Sequence, residues 1–126
     1  MKLPKVMIAV ALLFAAAFAH ALDIKPYTSE ALAEAQKADK PVALHFHADW
    51  CPTCKAQAKV LQTLKSEPGL DLTVLVANYD TEKALKQRFD IRGQSTFVVL
   101  RGEKERGRVV GETSAAGIRT VLKTAL

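Results

Sequence analysis

Apolar and polar positions along the chain switch between a helical and an extended period, and the switches mark the elements. Leu32, Ala35 and Ala38 recur at helical spacing behind Thr28 and Ser29, either of which can cap a helix, and Lys40-Pro41 ends the segment. This predicts a helix from Ser29 to Asp39. Pro41 to His47, Pro-Val-Ala-Leu-His-Phe-His, reads as a short buried strand. From Pro52 to Ser66, Ala56, Val60, Leu61 and Leu64 form the apolar side of an amphipathic helix that Pro68-Gly69 stops.

Leu72 to Ala77 is a second buried strand, and Thr81 to Phe89 a third helix with Thr81 as its cap. Thr96 to Leu100 and Arg108 to Val110 predict two more strands, joined by a polar hairpin over Arg101 to Gly107. A last helix is expected from Ser114 to Thr124, with Ile118, Val121 and Leu122 as its apolar stripe. Helix, strand, helix, strand, helix, hairpin, helix implies a parallel βαβ unit joined to an antiparallel hairpin. The fold class is α/β, with a central mixed sheet of about four strands and helices on both faces.

The N-terminus departs from this alternation. Lys2 and Lys5 precede an unbroken apolar run from Val6 to Ala19, and Ala19-His20-Ala21 matches a small-x-small cleavage pattern. The run is too short for the roughly 20 residues of a membrane span and suits the apolar core of a secretory signal. The expected division is therefore a signal peptide over residues 1–21 and one domain over residues 22–126, with an uncleaved N-terminal anchor as the alternative. It implies export, to the periplasm if the source is a Gram-negative bacterium.

Composition narrows the reading further. With 126 residues, 49% hydrophobic and 25% charged, the chain has room for one globular domain. The net charge of +5 includes Lys2 and Lys5 and is spread along the sequence, which gives no reason to invoke nucleic acid as a partner. Cys51 and Cys54 are the only cysteines, so a scaffold stapled by several long-range disulfides is excluded.

The candidate chemistry lies in Trp50-Cys51-Pro52-Thr53-Cys54-Lys55, where a strand hands over to a helix. Thiols separated by two residues can close a small disulfide ring and open again with little backbone movement. Cys51 at the helix N-terminus would meet unpaired N–H groups and the positive end of the helix dipole, which favour its thiolate. Cys54, one turn on, shares that face and can attack a mixed disulfide formed at Cys51. The expectation is an exposed nucleophile at Cys51 and a more buried resolving thiol at Cys54. A structural disulfide or an inert buried pair is the plainer reading of two cysteines.

Ala48-Asp49-Trp50-Cys51-Pro52-Thr53-Cys54-Lys55, following a strand led by Lys40-Pro41-Val42, resembles the active-site signature of the thioredoxin family. Phe89-Asp90-Ile91-Arg92-Gly93-Gln94-Ser95-Thr96-Phe97 is similar to that family's second active-site loop, and Gly111 falls where a glycine follows the last strand. The resemblance covers nearly all of the chain beyond residue 21. It implies a thioredoxin-like fold and a thiol:disulfide oxidoreductase cycling a Cys51–Cys54 disulfide, without a cofactor. It further implies a monomer that exchanges with protein or small-molecule thiols and disulfides, with a membrane electron-transfer protein as a further candidate partner. Trp50, Pro52, Thr53, Gln94, Ser95 and Thr96 are the implied substrate-binding positions. The absence of a large inserted helical domain favours reductase over oxidase.

Three departures bear on mechanism. Ser95 stands where the family carries a cis-proline; a non-proline cis bond costs about 2.5–4 kcal/mol, so the Gln94-Ser95 bond is expected to be trans and the loop altered. His45 replaces a buried aspartate that assists proton transfer at the resolving cysteine, and a histidine titrating nearer neutrality could take that role. The alternative for His45 is a core histidine with a satisfied ring. His47, at a position often aromatic, shares the face of His45. Lys59 replaces a kinking proline, which implies a straighter helix. The rival function is a metal-binding or metallochaperone protein, with Cys51 and Cys54 as two soft ligands for copper, zinc or an iron–sulfur cluster.

Overall fold

The chain is described here by a computed structural model over residues 21–126. The basic and apolar leader expected at the N-terminus, including His20, lies outside the described residues apart from Ala21.

Alternation of period translates into nine elements: β1 (Asp23–Pro26), α1 (Ser29–Lys37), β2 (Pro41–His47), α2 (Pro52–Leu64), β3 (Thr73–Asn78), α3 (Lys83–Arg88), β4 (Thr96–Arg101), β5 (Lys104–Val110) and α4 (Ala115–Lys123). The described strands form one sheet in the order β1-β3-β2-β4-β5. β1, β3 and β2 run parallel, and β4 and β5 run antiparallel to their neighbours.

The sheet has one strand more than the hydropathy pattern indicates. β1, Asp-Ile-Lys-Pro, offers a single aliphatic residue and ends on proline, features suited to an edge strand. It pairs with β3 through Ile24 opposite Val74. β5 also begins earlier than expected. Lys104-Glu-Arg-Gly lies within the strand, leaving only Gly102 and Glu103 as the turn, because an edge strand tolerates charge that an interior strand would not.

Local chemistry fixes the helix starts. Thr28 caps α1 by accepting from the Ala31 N–H at 3.0 Å, and Ser114 caps α4 through the Gly117 N–H at 3.0 Å. Thr81 does not cap α3. That helix starts two residues later behind Glu82, with no side-chain cap.

The strict two-residue period of β2 divides the core. Val42, Leu44 and Phe46 pack with Leu32 of α1 and Leu85 of α3 on one face. Ala43 faces the other way, with Leu61 and Leu64 of α2 and Ile118, Val121 and Leu122 of α4. His45 shares the face of Ala43 and therefore lies beneath α2. The fully buried face of α2 is Cys54, Gln57, Leu61 and Leu64; of the positions the hydrophobic pattern indicates, Leu61 and Leu64 are buried, Val60 packs half-buried against the same core, and Ala56 is half-buried. Gln57 is thus a fully buried polar residue within an apolar stripe.

A candidate dithiol site at the start of helix α2

β2 ends at His47, and the chain turns through Ala48-Asp49-Trp50 to place Cys51 at the N-cap of α2. The Cys51 sulfur accepts the Cys54 N–H at 3.1 Å, the position a serine or aspartate side chain occupies in an ordinary cap. Pro52 follows at N1, where its missing N–H costs nothing. Local sequence therefore aims one sulfur at the positive end of a helix.

Cys54 is fully buried and Cys51 is 2% exposed, so Cys51 is not the exposed nucleophile expected. Ala48, Cys51 and Cys54 form a small cluster against Tyr79, and the Ser95 loop closes over both sulfurs. Both cysteines are drawn here as free thiols.

The Ser95 hydroxyl lies 3.2 Å from the Cys51 sulfur and 3.1 Å from that of Cys54. Burial pushes the Cys51 thiol up, but hydrogen bonds from the Cys54 thiol, the Ser95 hydroxyl and the backbone N–H groups of Cys54 and Thr53 outweigh it and hold Cys51 below the usual thiol value. Burial and the hydrogen bond to Cys51 push Cys54 up, although the Ser95 hydroxyl opposes this. The two environments differ in sign: the one at Cys51 favours the thiolate and the one at Cys54 the protonated thiol.

The Gln94-Ser95 bond is trans, as the cost of a non-proline cis bond predicts. Ser95 takes a φ of +65°, a region that non-glycine residues rarely enter. Its N–H donates to the Phe46 carbonyl at 2.9 Å; its carbonyl accepts from the Gly111 N–H at 2.9 Å and the Gln57 amide at 3.0 Å. Gly111, at φ +73°, brings the end of β5 into this contact. Because the loop uses Ser95's backbone internally, strand-like pairing with a substrate cannot run through that residue.

Beneath the loop, the Gln57 side-chain nitrogen also donates to the Glu112 carbonyl at 2.9 Å. With both amide hydrogens on carbonyls, Gln57 Oε1 must accept, so His45 donates from Nε2 across 2.9 Å. His45 stacks on Phe97 with ring centroids 4.3 Å apart, and its Nδ1 is buried without a partner. Burial lowers its pKa to about 4, assisted by the neighbouring His47 and opposed by the Gln57 bond. His45 is therefore a neutral ring near pH 7, rather than one titrating near neutrality. Its hydrogen bond goes to Gln57, which connects it to the Ser95 loop.

The other expected site residues separate into two groups. Trp50 is 59% exposed beside the cysteines, and its indole N–H donates to Asp80 at 2.9 Å. Pro52 is exposed, and Thr53 and Gln94 are half-buried. Thr96 is buried, and its hydroxyl donates to the Gly93 carbonyl at 2.8 Å, so that side chain serves the loop rather than a substrate surface. Half-buried His47 lies 3.1 Å from an Asp49 carboxylate oxygen. A cleft of about 230 Å³ opens between His47, Trp50 and Asp80. A larger cleft, about 780 Å³, lies at the far end of β4 around Arg101 and contains no thiol.

Gln57 and Asp80 escape sequence reasoning. Gln57 leaves one usable signal: a polar residue three positions after Cys54, on the same helix face as Leu61 and Leu64. Among the described residues there is no group of three or more His, Cys, Asp or Glu placed to hold a metal ion. Cys51 and Cys54 alone make an incomplete site for zinc.

A mixed sheet with helices on both faces, carrying a dithiol at the helix start after a central strand, defines a class of redox-competent dithiol proteins. The thioredoxin family profile matches residues 24–124, and the chain belongs to that family. It is 31% identical over 86 residues to the bifunctional thioredoxin reductase/thioredoxin of Mycobacterium leprae, covering 68% of this chain and 19% of that protein. It is 35% identical over 77 residues to the thiol:disulfide interchange protein TxlA of Synechococcus elongatus, covering 59% of this chain and 40% of that protein. The chain thus spans less than half the length of either relative. Among solved structures, Trxlp from Edwardsiella tarda superposes with a TM-score of 0.74 at 36% identity, covering 79% of this chain and 98% of that one.

Proposed function

We propose that the chain is a thiol:disulfide oxidoreductase in which Cys51 attacks a substrate disulfide and Cys54 resolves the mixed disulfide. One observation carries this reading: the Cys51 sulfur caps α2, accepts the Cys54 N–H, and is held below the usual thiol value while Cys54 is pushed up. A purely structural disulfide has no need of such asymmetry. The M. leprae relative, a thioredoxin reductase/thioredoxin, and the S. elongatus relative, a thiol:disulfide interchange protein, support this chemistry.

In the reductive direction the Cys51 thiolate attacks one sulfur of the substrate disulfide and expels the first substrate thiolate. Cys54 then loses its proton and attacks Cys51, expelling the second. Two electrons pass to the substrate, and the Cys51–Cys54 disulfide remains. Trp50, Pro52, Thr53 and Gln94 form the rim on which protein or small-molecule disulfides dock. Reduction is favoured over oxidation because, among the described residues, the elements follow one another compactly without a large helical insertion. Replacing Cys54 by Ser should trap substrates covalently on Cys51, released by dithiothreitol. Replacing Cys51 by Ser should abolish both trapping and exchange; trapping that persists in Cys51→Ser refutes the assignment.

The reading extends to export through an N-terminal signal. It is supported by Lys2, Lys5, the Val6 to Ala19 run and the Ala19-His20-Ala21 pattern. Among the described residues Leu22 is the first in the buried core and Asp23 begins β1, so cleavage after Ala21 would leave these elements whole. Mass spectrometry of the chain recovered from a periplasmic extract should give a mature start at Leu22; recovery of the uncleaved chain from the cytoplasm refutes export.

A further inference from the structure

The feature that family membership leaves unexplained is a hydroxyl between two sulfurs. Ser95 Oγ lies within 3.2 Å of Cys51 and 3.1 Å of Cys54, yet a hydroxyl has one hydrogen and can donate to only one of them at a time. In the monoanionic dithiol the Oγ–H donates to the Cys51 thiolate, the one charged acceptor in reach, while the single Cys54 S–H has the Cys51 sulfur, Oγ and the Phe46 carbonyl at 3.9 Å as its acceptors.

The backbone holds the hydroxyl there against its own preference. Ser95 sits at φ +65°, a conformation that costs a non-glycine residue of order 1–3 kcal/mol and persists where the surroundings over-determine it. The surroundings here are three hydrogen bonds to one residue: Phe46 on its N–H, and Gly111 and Gln57 on its carbonyl. Gln57 is itself tied to His45 and to the Glu112 carbonyl. The loop is thus anchored to β2, α2 and the segment after β5, which leaves the freedom at Ser95 in its short side chain and hydroxyl.

We propose that Ser95 is a catalytic hydrogen-bond donor shared by the two cysteines, whose single proton follows the negative charge from Cys51 to Cys54 during turnover. This rests on the thiol:disulfide exchange reading and assigns the second step a residue of its own. In the first step the Cys51 electron pair forms a bond to the substrate sulfur, the substrate S–S bond breaks, and its electron pair leaves on the first substrate thiolate. Cys51 is now neutral and no longer holds the donor. As Cys54 loses its proton to water, and through water to a released substrate thiolate, the hydroxyl turns to the new Cys54 thiolate. Cys54 then attacks the Cys51 sulfur and the second substrate thiolate departs. Overall, one dithiol and one substrate disulfide become one protein disulfide and two substrate thiols, the second substrate thiolate taking up from water the proton that Cys51 released on ionising.

A hydrogen bond to a charged group is strong enough to shift an acid by about one pKa unit or more, a tenfold change in thiolate fraction. The test uses Ser95→Ala and Ser95→Gly, which both remove the hydroxyl; glycine additionally relieves the positive φ, so it folds even where alanine strains the loop. Two readouts are taken: the pH dependence of Cys51 alkylation by iodoacetamide, and the release of thionitrobenzoate from dithiobis(nitrobenzoate) in stopped flow. The latter gives a concentration-dependent phase for Cys51 and a concentration-independent phase for Cys54. Both variants should raise the apparent Cys51 pKa by about one unit and slow the second phase about tenfold.

Wild-type values in both readouts for either folded variant overturn the proposal. A changed Cys51 pKa with an unchanged second phase overturns the shared role. Normal behaviour of Ser95→Gly beside a defective Ser95→Ala assigns the effect to backbone strain and likewise overturns it. A wild-type chain with no second phase overturns the exchange reading itself, and this proposal with it.

Discussion

Gln57 offers the sharpest quantitative consequence of the structure, because its buried amide joins three elements. Replacing it by Leu keeps the volume and removes every polar atom. The His45 Nε2–H then lies buried without an acceptor, and the Glu112 carbonyl loses its donor, whereas the Ser95 carbonyl keeps Gly111. An unsatisfied buried donor or acceptor costs about 1–3 kcal/mol, so two such groups place the loss for Gln57→Leu at about 2–6 kcal/mol. That is a large share of the roughly 5–15 kcal/mol that holds a domain folded. The assay is urea unfolding at pH 7.5 under reducing conditions, followed by circular dichroism, with unchanged m values as the check that only stability has moved.

A second substitution isolates the share of the loss that comes from the His45 N–H. Adding His45→Phe preserves the stack on Phe97 and removes the stranded N–H, so the double variant should recover about 1–3 kcal/mol relative to Gln57→Leu alone. A loss below about 1 kcal/mol for Gln57→Leu refutes the account of this network. Simple additivity of the two substitutions does so as well.

The remaining predictions concern ionisation and the tryptophan. His45 has a pKa of about 4 in the fold against 6.5 for the free side chain, so the unfolded chain binds the additional proton between those values. Stability is therefore full above pH 6.5 and falls as pH drops toward 4, by about 2 kcal/mol between pH 7.5 and 5. The difference between wild type and His45→Phe in denaturant titrations should carry this slope, and parallel pH curves contradict it. The first phase of exchange should level off at a pH below the usual thiol value, since Cys51 is lowered and Cys54 raised; a midpoint at or above the ordinary value is the contrary result. Trp50 is the sole tryptophan and is tethered by Asp80, so Asp80→Ala should lower its fluorescence anisotropy with little change in stability. Unchanged anisotropy means that the bond does not hold the ring in solution.

How far the sequence reaches depends on whether a residue's role is local. The position of Cys51 at a helix start, with Pro52 at N1 and Cys54 one turn on, follows from adjacent residues, and the structure has the same arrangement. The alternation in β2 likewise places His45 and His47 on one face. Elements whose burial depends on distant partners are less legible. β1 is a strand because β3 offers it a free edge, and its own four residues barely signal it. The Lys104 end of β5 reads as loop because its charges face solvent along an edge.

His45 shows the same limit within the site. Its identity invites a proton-transfer role near neutral pH, but the depth of burial and the bond to Gln57 decide its ionisation, and both come from α2 packing over β2. Ser95 is the converse case. The missing proline is visible in the sequence, and the trans bond follows from energetics, but the convergence of its hydroxyl on both sulfurs requires the φ of +65° that three long-range hydrogen bonds impose.

The central claim is that Cys51 and Cys54 form a reversible two-electron couple. Equilibrating the chain in glutathione buffers of graded ratio, quenching with acid and counting free thiols by alkylation and mass spectrometry tests it directly. The account predicts one transition, two thiols converting together to the Cys51–Cys54 disulfide, reached from either direction at the same ratio, in protein free of bound metal. A pair locked as disulfide or as dithiol at every ratio would contradict it, as would tight stoichiometric metal with no exchange.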